Sequence, residues 1–89
     1  MILSNTIYEK TIENFIEKFK NKIEIDIEKK RAMDYSDFSV FYPAFVLGYL
    51  NTITDYKFYN DIKKDFPDIK DINILSMIKK VLNKKGFIL

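Results

Sequence analysis

The sequence predicts a single, mainly helical domain with a small β component, an α+β arrangement of an N-terminal helix, a short strand and a three-helix core. Three observations lead there. Apolar residues recur at spacings of three and four in four separate stretches, the mark of amphipathic helices. Pro43, Pro67 and Gly86 fall where helices start or stop. Residues 22–28 alternate charged and apolar side chains, which is a strand pattern.

The first helix follows Ser4 or Asn5, either of which can cap it through a side-chain oxygen. Its stripe is Tyr8, Ile12, Phe15, Ile16, Phe19 and Ile23. Opposite the stripe, Glu9, Lys10, Glu13, Glu17, Lys18 and Lys20 read as a solvated face. Residues 23–27 are either a continuation of this helix or a short strand. The strand is the reading adopted, because Ile25 falls off the helical stripe. Lys29, Lys30 and Arg31 then read as a basic turn.

Ser36 or Ser39 opens the next helix, which holds Phe41, Phe45, Val46, Leu47, Tyr49 and Leu50. Pro43 suits its first turn, where a missing N–H costs nothing. Residues 51–54 read as a turn, after which Thr54 or Asp55 caps a helix carrying Phe58, Tyr59, Ile62 and Phe66. Pro67 ends that helix, since the residue before proline is driven out of the helical region. Asp71 is the expected cap of the last helix, whose inner face is Ile74 or Leu75, Ile78, Val81 and Leu82. Gly86 stops it, and Phe87, Ile88 and Leu89 form an apolar tail able to pair as a strand. The chain thus divides into residues 1–35 and a three-helix core over residues 36–89, within one domain.

Composition sets the bounds. With 89 residues, 47% hydrophobic and 16% aromatic, the chain has material for one small core. It contains no cysteine and no histidine. That excludes disulfides, thiolate metal sites and cysteine nucleophiles, and removes the commonest general base. No run approaches the ~18 apolar residues of a membrane span, and the first residues lack the basic and apolar regions of a signal peptide. The expectation is a cytoplasmic protein, in the host cytoplasm if its source is a virus. The acidic residues follow no calcium-loop spacing and there is no phosphate-binding glycine loop. No metal, cofactor, small-molecule ligand or catalytic residue is expected.

Charge is unevenly placed. The net charge of +2 is neutral over residues 1–35, −2 over residues 36–71, and +4 over residues 72–89, where Lys79, Lys80, Lys84 and Lys85 stand without an acid. A local basic patch is what a polyanionic partner requires.

The stretch from Phe58 to Ile88 resembles the second and third helices of winged-helix proteins. In that family the third helix commonly ends in leucine, three residues, glycine and two apolar residues, and here Leu82, Gly86, Phe87 and Ile88 match. Residues 41–50 look like the family's first helix, and the resemblance, to the small winged-helix proteins of crenarchaeal viruses in particular, spans roughly Ser39 to Leu89. It implies a winged helix-turn-helix core with a minimal sheet. The wing is expected to be truncated, because the sequence given ends where the family forms its hairpin. It also implies a double-stranded DNA-binding protein, a dimeric transcriptional regulator, with the last helix in the major groove.

The outward face of that helix supplies the candidates. Asn73, Ser76, Met77 and Lys80 occupy the positions that read bases in the family, while Lys79, Lys80, Lys84 and Lys85 would hold phosphates. Four such contacts predict a salt slope of about −3.6. Asp65, Asp68 and Asp71 precede the helix and would repel phosphates, although they also serve as favourable charges near a helix N-terminus. Ile12, Phe15, Ile16 and Phe19 are the candidate homodimer seam, or else they cover the domain's own core. The alternative function is a small protein-binding module, of the immunity or anti-defence type, that does not bind nucleic acid.

Overall fold

A computed structural model describes residues 2–32 and 38–87, with side chains for residues 7–29 and 41–87. The order is α1 (Ile2–Lys18), α2 (Lys20–Ala32), α3 (Phe38–Ile53), α4 (Lys57–Asp65) and α5 (Asp71–Lys84). The mainly helical class holds. The minimal sheet does not: among the described residues there is no strand.

The reversal lies at residues 23–27. Ile23 and Ile27 are one helical turn apart and both are buried, whereas Ile25 is 56% exposed. An alternating sequence places every second pair of apolar residues at i and i+4, so it satisfies one helical face as well as one strand face. Only a single turn residue, Phe19, separates α2 from the helix before it. The amide of Phe19 donates to Phe15 O at 3.2 Å and that of Ile23 to Phe19 O at 2.9 Å, so helical bonds reach Phe19, the turn residue between α1 and α2, from both sides. Lys29, Lys30 and Arg31 accordingly lie in α2, not in a turn. The possible pairing of the tail falls on Ile88 and Leu89, outside the described residues.

Boundaries shift too. Helix α1 begins at Ile2, so Ser4 and Asn5 lie within it. Helix α3 begins at Phe38, which puts Pro43 in its interior and not in its first turn; Ser36 is outside the described residues. Its core row is Tyr42, Val46 and Leu50, and Phe41 is the exposed neighbour.

Helix α3 runs on to Ile53 and ends in two reversed hydrogen bonds, Asp55 N to Thr52 O and Tyr56 N to Asn51 O. This is a Schellman motif. Its left-handed position is filled by Asp55 (φ 52°), and Tyr56 follows at φ 65°. The N-cap of α4 is Tyr56, not Thr54 or Asp55, and its side chain makes no capping bond. Thr54, two residues earlier, accepts from the Phe58 amide through Oγ1 at 3.1 Å, while Asn51 Oδ1 takes the Tyr59 amide at 3.2 Å. The same Schellman pattern closes α5, with Gly86 N to Asn83 O and Phe87 N to Leu82 O, and Gly86 at φ 88°. Gly86 therefore stops α5 as anticipated, and Phe87 is carried into the core.

Helices α4 and α5 both pack against α1 and α3. Phe58 and Ile62 of α4 and Ile74, Ile78, Val81 and Leu82 of α5 meet Tyr8, Ile12 and Ile16 of α1 and the Tyr42 row of α3 in one cluster. Phe15 meets Phe58 edge-on, centroids 5.1 Å apart. Helix α2 joins through Ile23 and Ile27, and the Tyr42 hydroxyl approaches Ile23 O at 3.5 Å. No helix among the described residues is long and apolar enough to cross a membrane.

Candidate functional site

The burial of Ile74, Ile78, Val81 and Leu82 turns Asn73, Ser76, Lys79, Lys80, Asn83 and Lys84 of α5 toward solvent. The structure thus brings most of the candidate nucleic-acid residues onto one face. Met77 is the exception. It is half-buried against the core, because it completes the row from Ile74 to Val81. Lys85 lies just past the helix as its C-terminal cap.

The lysines do not stand alone. Glu9, Glu13 and Glu17 follow one another at four-residue intervals along α1, and α1 packs beside α5. Lys80 Nζ lies 3.1 Å from Glu9, Lys84 Nζ 3.2 Å from Glu9 and 3.4 Å from Glu13, and Lys85 Nζ 3.2 Å from Glu17. Contacts advance in the same sense along both helices, so α1 and α5 run parallel here. Hydrogen bonds from Lys80 and Lys84 hold the Glu9 carboxyl below its ordinary pKa, and the bond to Glu9 raises that of Lys84, with the charge of Glu13 adding to it. Sequence reasoning placed these glutamates on a solvated face. The signal that would have paired them is the shared four-residue spacing of Glu9 and Glu13 with Lys80 and Lys84. Among the described residues Lys79 makes no such pair.

The residues proposed as a dimer seam are spent largely on the chain's own core. Ile12 and Ile16 are fully buried, and Phe15 and Phe19 are partly buried against the same cluster.

A second feature opens where α1 passes the α4–α5 connection. The Tyr8 hydroxyl donates to the Asn73 carbonyl, and its ring tilts against Phe66 at 5.8 Å. Burial pushes this phenol up to about 12, so it remains protonated and a donor at neutral pH. Around it lies an open cleft of about 470 Å³ lined by Tyr8, Phe66, Pro67, Ile69, Asn73 and the acids Asp65 and Asp68. Ile7 and Ile72, the sequence neighbours of the two bonded residues, are 54% and 64% exposed. The connection itself is braced by Lys63, whose ammonium bonds the Ile69 carbonyl at 2.5 Å and lies over the Tyr59 ring. Asp71 is not the cap of α5, a place held by Lys70, but its first residue, and its carboxylate accepts from the Tyr59 hydroxyl at 2.9 Å.

Among the described residues no group of three or more metal-ligating side chains is assembled. Comparison with known protein families, curated proteins and solved structures finds no match for this chain.

Proposed function

We propose that the chain is a protein-binding module whose binding surface is the cleft between α1 and the α4–α5 connection. The observation that carries this reading is the cleft's lining, the apolar Tyr8, Phe66, Pro67 and Ile69 together with Asp65 and Asp68, with the exposed Ile7 and Ile72 next in sequence to its Tyr8 and Asn73. Exposed apolar surface rimmed by polar groups marks interaction sites. The complementary ligand is a short segment of another protein that brings one large apolar and one basic side chain. The apolar group fills the cleft, and the basic group meets the two aspartates.

The test is selection of displayed random peptides on the protein. Enriched sequences combine a basic with an apolar residue, and binding is lost in the Asp65→Lys, Asp68→Lys double variant. If no sequence is enriched, or if the double variant binds equally, the reading fails.

A second reading is duplex DNA binding through α5. It is favoured by the common exposure of Asn73, Ser76, Lys79 and Lys80 on one helix face. The glutamate row of α1 weighs against it, because carboxylates beside that face neutralise three of its four lysines and repel phosphate. Salt-sensitive duplex binding that is abolished in the Lys80→Glu, Lys84→Glu variant would establish this reading over the first.

A further inference from the structure

Helix α3 differs from every other helix in the chain. In a sequence that is 31% charged, its 16 residues carry no charge at all. Burial of Tyr42, Val46 and Leu50 turns Phe41, Ala44, Gly48 and Thr52 outward in one line, with Phe45 and Tyr49 half-buried beside them. The one polar side chain in that line has its donor in use, since the Thr52 hydroxyl bonds the Gly48 carbonyl at 2.9 Å. The space over the line is open: a Cβ added at Gly48 would meet nothing within 4 Å. A shallow groove of about 380 Å³ runs along it, lined by Ala44, Phe45, Gly48, Tyr49, Thr52 and, at its edge, Asp26, which is already engaged within the chain.

We infer that this face seats the α3 helix of a second copy of the chain. The argument rests on charge. The exposed faces of α1, α2, α4 and α5 all carry lysine, aspartate or glutamate, and any of them laid on α3 would bury a charge without a partner. Another α3 brings none. A two-fold axis beside Gly48 sets Ala44 of each copy against Thr52 of the other, and the small side chains allow close approach of the helices. Phe41, Phe45 and Tyr49 then supply the buried aromatic surface that interfaces favour.

Area sets the strength. A 16-residue helix is about 24 Å long and about 10 Å wide. One face of it buries a few hundred Å², well under the roughly 800 Å² per partner of a standard interface. The dimer is therefore weak and reversible. This face lies on a different helix from the cleft described above, so either surface operates without the other.

Sedimentation equilibrium of the whole chain from about 10 µM to about 1 mM tests the inference. The average mass is expected to rise from the monomer's 10.6 kDa toward twice that value. Gly48→Glu and Phe41→Gln, both at exposed positions, are expected to weaken association at least tenfold with an unchanged far-ultraviolet circular dichroism spectrum. A wild-type chain that stays monomeric over the whole range overturns the inference. So does a wild-type dimer that both folded variants form equally well. Neither result touches the peptide selection, which reads the cleft alone.

Discussion

Lys84 Nζ lies 3.2 Å from Glu9 Oε2 across 75 residues of sequence. This contact, with its neighbours at Lys80 and Lys85, makes α1 the internal partner of the basic segment. Replacing Glu9, Glu13 and Glu17 together by glutamine releases three lysines. Affinity for heparin or duplex DNA is then expected to rise, and the salt slope to steepen by about 2.7 if each freed lysine displaces one counterion. An unchanged slope in a filter-binding titration would show that the lysines were never restrained. The triple variant should also melt at a lower temperature in dilute buffer, with the difference closing as salt is raised.

Stability should be flat across neutral pH and fall at both ends, each for a stated reason. Glu9 titrates below its ordinary 4.5 in the folded chain. Its contribution is present above that value and is lost as pH drops through the folded pKa. Lys84 is raised above 10.5, so its contribution is complete below that pH and is lost as pH climbs through the folded pKa. Tyr8 acts in the same alkaline window. The unfolded phenol ionises near 10, the folded one only at about 12, and stability declines between the two. Thermal melts against pH check the envelope. An absorbance titration of the tyrosines should contain a component near 12 that disappears in Tyr8→Phe.

Ile16→Ala distinguishes core from seam. With its side chain fully buried inside one chain, truncation should cost about 2–5 kcal/mol, measured by urea unfolding. The cost should be independent of protein concentration. A loss that shrinks on dilution would place Ile16 in an interface between copies.

The two glycines should respond oppositely to alanine. Gly86 holds φ 88°, so Gly86→Ala is expected to cost about 1–2 kcal/mol through backbone strain alone, since no neighbour obstructs the new methyl. Gly48 lies within a helix with open space around it, and Gly48→Ala should stabilise the monomer by roughly 1 kcal/mol. Asp55 occupies in α3 the left-handed position that Gly86 occupies in α5. Asp55→Gly should therefore raise the melting temperature by relieving strain. Thermal denaturation at low protein concentration reads all three.

Much of this architecture can be read from residue spacing. The stripes of α1, α4 and α5 and the stop at Gly86 follow from local rules, because each is decided by residues within a turn or two of one another. The strand assignment at residues 23–27 failed because alternation and a helical i, i+4 pair coincide over five residues. What decides between them is that Ile23 and Ile27 both enter the core from one face of α2. The candidate site was visible only as an inventory. Lys80 and Lys84 were recognisable as a basic patch, but their pairing with Glu9 and Glu13 depends on the side-by-side packing of α1 and α5, a relation no local pattern encodes. The cleft around Tyr8 was invisible for the same reason: its walls come from residues about 60 positions apart.

The position of α1 has a consequence for how the chain comes into being. Its buried residues find their partners chiefly on α4 and α5, which are synthesised well after it. While the ribosome is still making α3, Tyr8, Ile12, Phe15 and Ile16 have no surface to cover them beyond α2 and whatever chaperone is at hand. Helix α1 must then wait for α4 and α5, and the core closes only once they have been made.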